Sequence, residues 1–384
     1  MTSEIPLDQT KKEHNVRKYG IDLLRILMMF LIVLRHGSYQ SGATSVPDIP
    51  LFNYLTGVAI TGITGIAVNC FVLISGYFLC KQSFRIDRII KLYVATLFYS
   101  ICVAFLFSIY YHSFSLKSLI HAIFPLCTGF SWFVSYYIVL SIISPFMNRC
   151  LCRLTQKEFL GLLGILLFFF SLIPSFGLST FSQPGGYTFT WFIVLYCAGA
   201  YLSFFGNIGS TKKNVICFLF SISVVFCFLG LRFVLKKKGI ILEHPDNYDF
   251  LPTFFASFFC FRVFLSIKVP VFLNACILKI SPLMLGCYLF HDNSLKHALW
   301  KDLMGINKHV NDNWWFVHMI ACIFAVFFAG CVFEQIRQVL FRGLSCPINR
   351  MGEWFHKRFL LSQEPIRSGL SNCENGEMES KTAK

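Results

Sequence analysis

The sequence predicts an all-α polytopic integral membrane bundle of about ten transmembrane helices, with both termini cytoplasmic. Three observations carry that prediction. The 384-residue chain is 55% hydrophobic and 14% charged, with 45 phenylalanines, more apolar surface than a soluble domain of this size hides. Several apolar runs reach about twenty residues, the length that crosses the hydrocarbon core. They are continuous instead of alternating, which argues against a β-barrel. Lysine and arginine also sort by side: with the N-terminus inside, twenty-four fall in cytoplasmic segments and seven in external ones, the bias that sets membrane topology.

Taken in order, residues 1–19 form a polar cytoplasmic segment with Lys11, Lys12, Arg17 and Lys18 close to the first apolar run. No A-x-A-like cleavage site follows and charges interrupt the run, so this first helix is expected to be retained. Spans are predicted at 20–38, 60–80, 89–111, 130–149, 158–176, 188–205, 214–235, 250–267, 280–299 and 315–336. They make one membrane domain over 20–336, followed by a basic, then polar, cytoplasmic tail over 337–384 whose end is expected to be disordered. No external loop exceeds about two dozen residues, so chemistry is expected within the bundle, not in an appended soluble domain. Lys236, Lys237 and Lys238 run against the topology on the external side. A misplaced seventh or eighth span accounts for them, or an external patch for an anionic substrate.

The net charge of +15 does not point to nucleic acid, because the basic residues lie between apolar runs and form no stripe. Most of the sixteen cysteines fall inside spans, where Cys behaves as a small apolar residue, and no disulfide framework is expected. Cys150 and Cys152 flank a single leucine without a second pair, and no metal site is expected. The chain holds no G-x-x-x-x-G-K-[ST], G-x-G-x-x-G, H-E-x-x-H or G-x-S-x-G, so nucleotide hydrolysis, dinucleotide redox chemistry and zinc proteolysis lack support.

Chemistry concentrates where polar residues interrupt the apolar runs. The first span, Gly20 to Gly37, holds Asp22, Arg25, Arg35 and His36. An arginine at the bilayer centre costs about 2.5–3.5 kcal/mol on insertion scales, so such residues persist mainly when they have work to do. Arg25 and His36 are eleven residues apart, about 1100° of helical rotation, so they share a face at an axial separation of about 16 Å. Arg35 sits about 80° off that face, without an evident role. The bland alternative pairs Arg25 with Asp22 at i, i+3 and leaves His36 as an interfacial residue. Ser75-Gly76 allows close helix approach. Arg85 and Arg88, three apart on the loop that follows, share a face if helical and suit phosphate groups; ordinary positive-inside charge is the equal alternative. Trp132 opens the fourth span as an aromatic-belt residue, and Pro145 reads as a kink or helix stop. His291 and Asp292 end the ninth span, where a carboxylate can set an imidazole's tautomer, or His291 is a loop histidine. Glu334 and Arg337 read as a structural ion pair.

These residues together resemble the acyltransferase-3 family of bacterial inner-membrane acyltransferases. The resemblance runs through Ile21-Asp22-Leu23-Leu24-Arg25, the Arg25-x10-His36 spacing, Phe71-Val72-Leu73-Ile74-Ser75-Gly76-Tyr77 and Arg85-x-x-Arg88. Trp132-Phe133, Ser144-Pro145 and Tyr288-Leu289-Phe290-His291 extend it. One departure is Glu334-Gln335, where many members carry Glu-x-Pro. The resemblance implies a cytoplasmic acyl-CoA donor, most often acetyl-CoA, and a sugar hydroxyl as external acceptor. It implies His36 as the catalytic histidine with Arg25, and Arg25, Arg85 and Arg88 as donor-binding arginines. His291 is expected to orient the acceptor or assist His36. No esterase-like C-terminal domain of the kind some members carry is expected, so the chain resembles the stand-alone type that modifies O-antigen, capsule, enterobacterial common antigen or similar glycans. Expected partners are acyl-CoA, a glycan or lipid-linked glycan, and membrane lipids. The competing class is a transporter or flippase whose path Arg25 and His36 would line. A glycan polymerase would need a large external loop.

Overall fold

The computed structural model describes residues 17–359 apart from 46–47, 179–184, 207, 237 and 240–244. Among the described residues every regular element is helical: α1 (Tyr19–Ser41), α2 (Leu51–Thr64), α3 (Ile66–Leu79), α4 (Ile86–Tyr110), α5 (Leu116–Ile123), α6 (Trp132–Leu151), α7 (Gln156–Leu167), α8 (Ile173–Ser175), α9 (Phe189–Phe205), α10 (Thr211–Lys236), α11 (Leu251–Ser266), α12 (Val271–Ile280), α13 (Met284–His291), α14 (Trp315–Leu340) and α15 (Ser345–Phe359). Among the described residues, seven stretches are long and apolar enough to cross a membrane: Leu51–Leu79, Ile86–Tyr110, Trp132–Leu151, Gln156–Ser175, Thr211–Leu235, Val271–His291 and Trp315–Leu340. The chain is therefore a multi-pass helical membrane protein. The count of ten rests on α1, which is long but charged, and on the shorter apolar helices α9 and α11.

Several helix starts follow from local hydrogen bonding. Ser131 and Thr188 cap α6 and α9 with their hydroxyls, and Thr155 with Glu158 forms a capping box on α7. Gly42 ends α1 in the left-handed conformation, φ 82°, that glycine adopts without strain. Pro145 neither stops nor ends α6, which continues to Leu151. Proline cannot donate to the Ser141 carbonyl, and the Ser144 hydroxyl donates to it instead, at 2.9 Å.

Two spans lie elsewhere than the sequence predicts. The second begins at Leu51, not residue 60, and runs through Gly65 with helical backbone. Its polar Asn53 disguises the start. That side chain is buried and donates to the carbonyls of Val310 and Asp312 at 2.8 and 3.1 Å, so it costs the helix nothing. The ninth span is Val271–His291, not 280–299. Ser281-Pro282 looks like a helix start but forms a single 3₁₀ turn, Ser281–Leu283, joining α12 to α13. Beyond it the chain leaves the helix, and Ala298–Leu303 is a short π-helical turn. In the tail, α14 reaches Leu340, and α15 packs on α4. The expected disordered end lies outside the described residues, as do most of residues 1–19, Lys237 and the side chain of Lys236. None of the described cysteines is in a disulfide.

The most polar of the long helices, α1, is the hub. It packs against α2, α3, α11, α12, α13 and α14, so its charges meet protein and not lipid. The peripheral spans show the reverse pattern. Ile86–Tyr110 and Thr211–Leu235 have only 28% and 22% of their apolar windows inside the bundle, and Phe105, Phe220 and Phe328 point outward. That distribution fits a lipid-facing exterior.

Candidate active site

Two glycines let α1 run through the centre. A Cβ on Gly20 would meet the Phe264 carbonyl of α11, and one on Gly37 would come within 3.2 Å of Trp300 and 3.1 Å of Ile323. Between these tight crossings lie Arg25 and His36, at opposite ends of the helix.

At the Arg25 end, Asp22 is buried and accepts from Arg17 and Arg25 at 2.8 Å each and from Ser281 at 3.2 Å. The i, i+3 pair expected from spacing is therefore present. It does not exclude a role in a cavity, because both residues line one of about 770 Å³ enclosed by α1, α3, α4, α6 and α13. Five basic side chains face it, Arg17, Lys18, Arg25, Arg85 and Arg88, against one carboxylate, Asp22. Arg85 is not on a helix: it is the extended N-cap residue of α4, with Arg88 in the first turn. Arg85 makes a two-pronged contact with Asp87 at 3.0 and 3.1 Å, and Arg88 holds Gln82. The hydrogen bond to Asp87 raises the Arg85 guanidinium above its usual value, so it is charged throughout the working range. Tyr137, Ser141 and Ser144 of α6 line the cavity further from the basic residues, together with Phe133, Val134 and Tyr288.

At the other end, His36 Nδ1 lies 3.0 Å from His291 Nε2, and the rings are 5.1 Å apart. His291 is not a loop residue. It closes α13, fully buried, with Nδ1 2.7 Å from the Cys287 carbonyl one turn back. Trp300 and Tyr288 pack edge-on against its ring at 6.3 and 6.1 Å. The two histidines are thus brought together across 255 residues, while Arg25, Arg85 and Arg88 are gathered separately. Neither histidine lines the cationic cavity; Tyr288 stands between.

A second cavity, of about 440 Å³, opens on the far side of Tyr288. It is lined by Ser131, Trp132, Asp292, Asn293, Ser294 and Lys296, with Ser100 of α4 and Ser118 and His121 of α5 opposite. Lys296 pairs with Asp292 at 3.3 Å. Ser131, in this cavity's lining, donates across 3.5 Å to the hydroxyl of Tyr288, in the lining of the first. That pair joins the linings of the two cavities as a partition.

Other expectations are corrected or completed. Trp132 is no belt residue: it sits in an aromatic cluster with Tyr187 at 5.0 Å, Phe192 at 5.9 Å and Tyr248 stacked at 6.4 Å. Arg35 turns away from the histidines to Asp246 at 3.1 Å and the Thr61 carbonyl at 3.0 Å, with Arg232 sharing Asp246. Glu334 and Arg337 form the expected pair through two hydrogen bonds, and Tyr99 and Gln338 complete the carboxylate's partners. The sequence reading missed Arg17, Lys18 and Tyr288 as lining residues. Tyr288 had a signal, its i, i+3 spacing to His291 on one face of a helix.

A family model described as an acyltransferase domain matches residues 18–334, from the start of α1 to Glu334. No curated protein and no solved structure matches the chain. The match covers most of the chain, including every element that bounds the two cavities and the histidine pair, and the chain belongs to the acyltransferase-3 family as a multi-pass membrane acyltransferase.

Proposed function

We propose that this protein moves an acetyl group from cytoplasmic acetyl-CoA to a hydroxyl of a cell-surface glycan or its lipid-linked precursor, at a bacterial inner membrane. The observation that carries the reading is the division of labour along α1. Arg25 faces a cavity with five basic side chains, and His36, about 16 Å further along the same helix, meets a second imidazole. A donor with a pyrophosphate, a 3′-phosphate and a long thin arm ending in a thioester suits that layout. Arg17, Lys18, Arg25, Arg85 and Arg88 hold the phosphates, and guanidiniums do so through paired hydrogen bonds. The pantetheine arm follows the cavity past Ser141 towards Tyr288. The second cavity, with hydroxyl, amide, carboxylate and ammonium groups beside Trp132, offers a polyol many partners, and its volume is that of a small-ligand pocket.

In the reaction His36 removes the proton of the acceptor hydroxyl as its oxygen attacks the thioester carbonyl. The O–C bond forms, the C–S bond breaks, and the proton passes from His36 to the departing thiolate. Imidazole suits both transfers because its ordinary pKa lies close to working pH. Deleting the gene is expected to remove O-acetyl signals from surface glycans by NMR. Wild-type protein restores them, whereas His36→Ala, inserted at normal levels, transfers about 10²–10⁴-fold more slowly. Unchanged acetylation in the deletion strain would refute the reading.

A further inference from the structure

The contacts of the two imidazoles fix more than their proximity. His291 Nδ1 faces the Cys287 carbonyl at 2.7 Å, and a carbonyl only accepts, so Nδ1 carries the proton. In the neutral ring the lone pair is then on Nε2. That nitrogen lies 3.0 Å from His36 Nδ1, so His36 must donate from Nδ1. We infer that His36 is held as its Nδ1–H tautomer, leaving Nε2 as its one reactive nitrogen, and that His291 is the positioning residue that imposes this. The inference rests on the proposed role of His36 and names the atom through which it acts.

The surroundings give the arrangement its rigidity. His291 is fully buried between Trp300 and Tyr288, both edge-on to its ring. Trp300 also packs where a Cβ of Gly37 would go, so one indole holds both the backbone beside His36 and the ring that His36 meets. When His36 Nε2 takes the hydroxyl proton, the positive charge is shared along Nδ1–H towards His291 Nε2 and on to the Cys287 carbonyl. When Nε2 returns the proton to the thiolate, both rings regain their starting tautomers. No proton is left over, and every proton transferred moves between His36 and the two substrates.

The test begins with the full-length wild-type chain in nanodiscs, with ¹⁵N-labelled histidine and the His36 resonances assigned by comparison with His36→Gln. The expected shifts are those of an Nδ1-protonated His36; an Nε2-protonated ring would overturn the assignment. Activity supplies the second readout. A glutamine amide presents an acceptor oxygen near the place of His291 Nε2, an asparagine nearer that of Nδ1. His291→Gln is therefore expected to keep most of kcat, and His291→Asn and His291→Leu to lose about 10²-fold or more, with KM for acetyl-CoA unchanged. Equal losses in the Gln and Leu variants would refute the positioning role. A wild-type protein with the Nδ1–H tautomer but no acetyl transfer would instead refute the proposed function and leave the tautomer assignment standing.

Discussion

Arg35 and His36 are adjacent in sequence and do unrelated work. Residues next to each other on a helix point about 100° apart, so one reaches the His291 pocket while the other ties α1 to α2 and to the loop before α11. The Arg35–Asp246 pair is nearly dry, with side chains 17% and 11% exposed. Removing one member of a buried pair strands the other's charge. Arg35→Ala is expected to lower stability by about 3 kcal/mol, the low end of the range for such pairs because Arg232 remains beside Asp246. Thermal unfolding in detergent checks this, and an Arg35→Met, Asp246→Leu double variant should recover most of the loss. The sequence could flag Arg35 but not explain it, since its partner lies 211 residues away and leaves no local periodicity. Arg25 and His36 were legible because both sit on one helix, where spacing alone decides whether they share a face. His291 was legible as a polar residue at a span end; its bond to His36 was not.

At the scale of helices, close approach and charge placement are separable. Gly76 of α3 and Gly199 of α9 cross with their backbones in contact: a Cβ on Gly76 would strike the Tyr196 carbonyl, and one on Gly199 the Leu73 carbonyl. Neither obstacle is a flexible side chain that can swing aside. Gly199→Ala is expected to cost about 1–3 kcal/mol, the usual cost of overpacking, measured as a fall in unfolding temperature. An unchanged midpoint would mean that the crossing is looser than described. The loop between α3 and α4 makes a different prediction, with its main effect on substrate binding. The Arg85 and Arg88 side chains are exposed and hydrogen-bond to Asp87 and Gln82. Arg85→Ala with Arg88→Ala should raise KM for acetyl-CoA by about 10²-fold, two charged hydrogen bonds at about 1.5 kcal/mol each, with kcat nearly unchanged; melting falls modestly, because the buried Asp87 loses Arg85 and keeps Lys91 at 3.8 Å. A KM that stays put assigns these arginines to topology alone. Boundaries were the least legible elements: Asn53 and Ser281-Pro282 look like interruptions, and each is absorbed by a hydrogen bond or a tight turn that only tertiary structure supplies.

Across the whole molecule, polarity runs opposite to that of a soluble protein. The charged α1 is enclosed while Phe105, Phe220 and Phe328 of other spans face outward, an arrangement that composition announces but cannot order. The partition between the cavities has a further consequence, and it is electrical. A bundle hollowed from both ends, in a membrane that holds a voltage, is a conductor unless something insulates it. Each elementary charge that crosses gives up about 2.3 kcal/mol per 100 mV, so a continuous file of water past two imidazoles would dissipate the cell's proton gradient. The Tyr288 ring and the Ser131 hydroxyl stand in that path. Proteoliposomes carrying Tyr288→Gly, with an internal pH dye and no substrate, are expected to lose an imposed gradient faster than wild type, while Tyr288→Phe stays tight. A Tyr288→Gly protein that leaks no faster would move the insulation elsewhere in the bundle.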